Sequence, residues 1–161
     1  MESTLFGLPT HPLLVHAVVV LLPLAAIAMV ITVIIPRTRA HLVWATLVVA
    51  VVAAALTPLA TESGEELARQ VDETEALELH EGLGENLTPF AIALAVGAAG
   101  LVFEDRRRRR SDGDPTGSDG RWVSVGIAGL ALVTAVAATA QTVAVGHSGA
   151  EATWADVTSG S

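Results

Sequence analysis

The chain has 161 residues, of which 52% are hydrophobic and only 4% aromatic, and it carries a net charge of −8. That length suits one domain, and the apolar fraction is too high for an ordinary soluble one. The absence of cysteine excludes disulfides, thiolate metal sites, iron–sulfur ligation and cysteine nucleophiles. The acidic balance argues against a nucleic-acid partner, because phosphate contacts need excess positive charge.

Four runs are long and apolar enough to cross a bilayer, which takes about 20 residues as a helix. They are predicted at about 12–35, 41–60, 80–103 and 122–146. None has the polar face at helical period that a soluble bundle requires. The first is not a cleaved leader, since Met1-Glu2-Ser3-Thr4 lacks a basic region and the apolar run is too long. The expected architecture is all-α, an integral membrane four-helix antiparallel (up-down) bundle forming a single domain. Its connections are predicted at 36–40, 61–79 and 104–121, with a tail at 147–161.

Within the first run, Pro12 suits the first helical turn, and Pro23 is expected to kink the helix. The stretch "TPLATESGEELA" at residues 57–68 is expected to end the second span and lead into an acidic, solvated link. Asp72 with Glu75 has the spacing of a capping box ahead of the third span, and Pro89 is expected to bend that span. Gly146 reads as the C-cap of the fourth. His147 then lies at the negative helix end, Trp154 at the membrane interface, and the last residues are expected to be disordered.

All nine basic residues are arginine, and eight of them lie in the first and third connections. The positive-inside rule makes that side cytoplasmic and places both termini outside. The tract "RRRRR" at 106–110 reads as a topology determinant, with anionic headgroups as a further contact. On this topology His11, His16, His80 and His147 gather at the outer leaflet, and only His41 lies inside. Gly84, one turn after His80, leaves room beside it for something flat.

The stretches "GLPTHPLLVHAVVVLLPL", "ATESGEELARQV", "LHEGLGENLTPF" and "GHSGAEATW" stand in that order at the span ends. Together they resemble the membrane family called domain of unknown function 2231, from about residue 7 to residue 154. The resemblance implies a four-span bacterial inner-membrane protein and no particular activity. Members of that family typically open the first span with His-Pro-x-x-x-His, an aromatic and a further proline. Here His11, Pro12 and His16 are kept, but Ala17 and Val18 stand in the last two places. Association of some members with electron-transfer modules points toward redox chemistry.

Three readings of the histidines follow. The first is b-type haem held between helices, with His16 and His80 as the first pair, His11 and His147 as a second, and Gly84 as clearance. That would suit exchange with a quinone or an extracytoplasmic redox partner. The second is a divalent metal bound by His16 and His80 with Glu62, Glu66, Glu81 or Glu85; the His-Glu-x-x-His pattern is absent. The third needs no cofactor: the histidines pin helices together, bind a partner or sense pH. Homo-oligomers fit any of these. A hydrolase is disfavoured, since no glycine pattern of a nucleophile elbow accompanies Ser63.

Overall fold

A computed structural model describes residues 4–5, 8–71, 73–110 and 118–159. A two-residue antiparallel pairing, β1 (Thr4–Leu5) with β2 (Leu8–Pro9), precedes the helices. Most of the other described residues are helical. Helix α1 spans Thr10–Ile34, and a 3-10 turn at Pro36–Thr38 leads into α2, Arg39–Ala68. The short α3 spans Glu75–Glu85, α4 Leu87–Arg110, and α5 Ser118–Ser159.

The helices form the expected antiparallel bundle, with α3 prolonging α4 at one end. Helix α1 packs on α2 and α5, and α4 packs on the same two. Helices α1 and α4 therefore face each other across one diagonal, α2 and α5 across the other. The four stretches His11–Ile34, Pro36–Ala68, Glu75–Arg110 and Gly120–Trp154 are each long and apolar enough to span a membrane.

The interior explains the close packing. Helix α1 buries Leu22, Ala25 and Met29, and α4 buries Ala91, Leu94 and Ala98. Helix α2 offers Ala50 and Ala53, and α5 offers Ala135 and Ala138, all essentially inaccessible. Alanine lets backbones approach where lipid supplies no hydrophobic drive between helices. Bulky apolar residues such as Val20, Ile27, Val96, Val133 and Val136 point outward instead and are exposed, as a lipid-facing surface requires.

Three buried threonine hydroxyls are satisfied within their own helices, whereas Thr46 Oγ1 on α2 has no hydrogen-bond partner among the described residues. Thr32, Thr57 and Thr142 each donate to the carbonyl one turn back, at 2.7, 2.8 and 2.7 Å. At the end rich in arginine, Glu104 is 1% exposed. Its carboxylate accepts from Arg107 Nε at 3.1 Å, Arg108 Nε at 2.7 Å and the Ser124 hydroxyl. Arg107 also donates to the Gly120 carbonyl at 2.7 Å. This network ties α4 to α5. Arg106 lies over Trp44 of α2, 4.7 Å from the ring centroid, a cation–π contact.

Several local expectations change. Helix α2 runs through Pro58 to Ala68, so "TPLATESGEELA" is helical and not a link. Asp72 lies outside the described residues; the cap of α3 is Thr74, whose hydroxyl accepts from Leu77 N at 3.2 Å. The bend expected at Pro89 is a break at Asn86. Proline lacks the N–H that would continue the ladder three residues after that point, and Asn86 Nδ2 caps the Gly82 carbonyl at 2.7 Å. Gly146 does not end the last helix. Helix α5 continues to Ser159, because glycine costs a helix only about 1 kcal/mol and the continuation packs against α3. Thus His147 is inside a helix, and the tail expected to be disordered is helical up to Ser159.

Candidate functional site

The end of the bundle that carries both termini has two histidines held in the same way. His11 sits in the first turn of α1, and its Nδ1 lies 3.1 Å from the Ala60 carbonyl oxygen and 3.0 Å from Ser63 Oγ on α2. A carbonyl only accepts, so Nδ1 carries the proton. The Ser63 hydroxyl donates to that same carbonyl at 2.9 Å, which leaves its lone pairs for the imidazole. The proton on Nδ1 puts the ring's free lone pair on Nε2.

His80, on α3, repeats the arrangement against α5. Its Nδ1 lies 3.1 Å from Ser148 Oγ. Ser148 is 3% exposed and donates its own proton to the Val145 carbonyl at 3.0 Å. With the Ser148 hydroxyl turned to that carbonyl, His80 donates to it from Nδ1 and keeps its lone pair on Nε2. Gln141 Nε2 donates to the Leu83 carbonyl at 2.9 Å and fastens α3 to α5 beside this contact.

Each imidazole lies flush against a glycine. A Cβ placed on Gly64 would fall 2.9 Å from His11 Cε1, and one on Gly149 would fall 2.9 Å from His80 Cε1. Both are below any ordinary contact distance. The glycines are therefore needed for close approach of ring to helix.

The likeness is written in the sequence. Residues 57–66, TPLATESGEE, and 142–151, TVAVGHSGAE, share the pattern Thr-x5-Ser-Gly-x-Glu. The buried threonines Thr57 and Thr142 match, as do Ser63 with Ser148 and Gly64 with Gly149. The same register continues inward, pairing Ala53 with Ala138 and Ala50 with Ala135, all buried. Between α1 and the α3–α4 pair another constant offset matches His11 with His80, Leu22 with Ala91, Ala25 with Leu94 and Met29 with Ala98. The bundle is thus built from two helical hairpins, α1–α2 and α4–α5, with buried residues at corresponding positions.

Between the histidines lies a cavity of about 380 Å³. His11 and His80 both line it. Its wall is mostly apolar, from Val15, Val18, Leu77, Leu87 and Val145, with Gly64, Gly84 and Gly149 leaving it open. Glu65, Glu81 and Glu85 supply its carboxylates. Added bulk at Gly84 would meet nothing within 4 Å, so Gly84 provides clearance, while Gly149 is the glycine in contact with His80.

The structure distributes the other sequence-predicted residues differently. His16 is exposed on α1, and its Nδ1 donates to the Pro12 carbonyl of its own helix at 2.6 Å. Five residues separate it from His11, which turns the two rings to different faces. The pair His16–His80 is therefore not assembled; His11 takes the place opposite His80. His147 is exposed and pairs with Glu151 at 3.3 Å, so it does not meet His11. His41 and Glu62 are exposed, and neither Glu62 nor Glu66 lines the cavity. Among the described residues no three histidine, aspartate or glutamate side chains are close enough to hold one metal ion. Sequence reasoning missed Ser63, Gly64, Ser148 and Gly149. The repeated Thr-x5-Ser-Gly-x-Glu pattern was the available signal.

The family model described as "Predicted membrane protein (DUF2231)" matches residues 7–159. No curated protein and no solved structure matches the chain. The match covers nearly the whole sequence, so the chain belongs to this family of membrane proteins.

Proposed function

We propose that this protein binds one b-type haem between His11 and His80 and acts as an electron-transfer component of a bacterial inner membrane, with the histidine end extracytoplasmic. One observation carries the reading: two imidazoles, on helices that face each other across the bundle diagonal, line one cavity, each with its Nδ1 held by a hydrogen bond to a neighbouring helix. A ligating histidine usually donates its other ring N–H to a fixed acceptor, and both histidines already do so. Adjacent helices lie about 8–10 Å apart, so a diagonal pair has the larger spacing that two imidazoles and an iron between them need.

The donor set favours this reading over its neighbours. In the Nδ1-protonated tautomer the bare Nε2 atoms accept hydrogen bonds and cannot donate one to a quinone carbonyl. A divalent ion wants three or four protein ligands, and the carboxylates do not gather around the two rings. When bound, haem supplies a one-electron couple tuned by its axial ligands. The protein's share is to hold the two imidazoles in one tautomer and to line the cavity with apolar side chains. Orientation follows from the arginines at the opposite end. The rival reading, a cofactor-free polar clamp, draws on the same bonds, because they also tie α1 to α2 and α3 to α5.

The test is the visible spectrum of detergent-purified protein, oxidised and reduced, after expression with ample haem. A Soret band with sharp reduced α and β bands, lost in H11A and H80A, is expected. A featureless spectrum from folded protein overturns the haem reading and leaves the clamp.

A further inference from the structure

We infer that Ser63 and Ser148 are the positioning residues of a duplicated half-site, and that the two halves are unequally dependent on them. The inference rests on the haem reading above for its redox consequence, but its structural content stands on the hydrogen bonds alone. Each serine spends its own proton on a carbonyl three residues back in its helix, Ser63 on Ala60 and Ser148 on Val145. A hydroxyl that has spent its proton can only accept. In that orientation each serine makes the facing imidazole the donor and favours the tautomer that leaves Nε2 bare. The Ser-Gly dipeptide does two things at once, since the serine orients the ring and the following glycine lets it approach. The two hairpins carry it at equivalent positions, 63–64 and 148–149.

The halves differ in one respect. His11 Nδ1 has a second acceptor, the Ala60 carbonyl at 3.1 Å. His80 Nδ1 is bonded to Ser148 Oγ alone of these two kinds of acceptor. Removing the Ser63 hydroxyl leaves His11 an acceptor that keeps the same tautomer. Removing the Ser148 hydroxyl frees the His80 ring to rotate and to exchange tautomers. An outer-shell partner of this kind changes metal-centre affinity by roughly 10- to 100-fold, and its loss makes the imidazole a weaker donor to iron, so the ferric state loses more than the ferrous.

The experiment compares S63A, S148A and S148T in the full-length protein. Expected for S148A are a roughly 10- to 100-fold weaker haem retention and a higher midpoint potential, with S148T restoring both because it keeps the hydroxyl. S63A should shift both in the same direction by less. A merely structural role would lower thermal stability without moving the potential. In parallel, ¹⁵N spectra of histidine-labelled, haem-free protein read the tautomers directly. Nδ1-protonated rings at His11 and His80, told apart from His16, which also donates through Nδ1, are expected in the wild type, with that of His80 lost in S148A. Nε2 protonation of His11 or His80, an unmoved potential in S148A, or a larger effect of S63A than of S148A would each overturn the inference. Wild-type protein that shows the two Nδ1-protonated rings and takes up no haem would overturn the haem reading while leaving the positioning role intact.

Discussion

His80 and Ser148 stand 3.1 Å apart, on helices remote in sequence, in the same relation that His11 and Ser63 keep at 3.0 Å. Helix α3 is short and has no fully buried residue, so this contact and the Gln141–Leu83 bond fix where His80 stands. The correspondence of the two pairs makes the cavity between them a single two-sided site.

The glycines beside the rings give the sharpest test. In G149A or G64A the new Cβ meets an imidazole edge at 2.9 Å, so the ring must turn away from its serine. Overpacking of this kind costs about 1–3 kcal/mol. Haem content should fall in each variant along with the melting temperature. Gly82, where an added Cβ meets nothing within 4 Å, is the control. G82A should leave the spectrum unchanged and be neutral or stabilising by up to about 1 kcal/mol, as alanine replaces glycine in a helix.

His16 separates the two possible histidine pairings. It is exposed and bonded to its own helix at Pro12, so H16A should retain full haem content and the wild-type midpoint potential. Loss of haem in H16A with retention in H11A would return the site to the pairing expected from the sequence.

At the opposite end, Glu104 accepts from Arg107, Arg108 and Ser124 while almost wholly buried. E104A leaves these donors without their carboxylate. The arginine side chains are 30% and 41% exposed and can turn to water, which limits the cost to about 1–3 kcal/mol. Thermal unfolding in detergent should show that loss, with the haem spectrum of the remaining folded protein unchanged, because the two sites lie at opposite ends.

Gly97 of α4 sets the approach of α4 to α5. A Cβ there would lie 2.6 Å from Thr134 Oγ1 and 3.3 Å from Ala131 Cα. The second neighbour is backbone and cannot swing aside, so G97A should destabilise the bundle by about 1–3 kcal/mol, measured by its melting temperature. In G100A the nearest atom is a side-chain methyl of Ile127 at 3.4 Å, and a much smaller change is expected.

The four spans were legible in the sequence because hydropathy is a local property: each run is apolar whatever its neighbours do. The placement of α1 and α4 on a diagonal followed from antiparallel connectivity with short links. Helix ends were harder to read. Gly146 and Pro58 are ordinary stop signals, yet both lie inside helices, because packing against a neighbouring helix outweighs a propensity penalty of a kcal/mol or so for glycine. The break at Asn86 was foreseen in kind, through Pro89, but not in place.

The composition and order of the residues by themselves determined a membrane-spanning helical bundle, its antiparallel course, and the gathering of histidines at the end away from the arginines. They did not determine which histidines face each other. That depends on the rotation of each helix about its own axis, which is set by where alanines, threonines and glycines allow neighbouring backbones to close. Only the tertiary structure decided that His11 and not His16 turns inward, because Gly64 leaves room for its ring and Ser63 with Ala60 accepts its proton, whereas His16 finds its acceptor one turn back in its own helix.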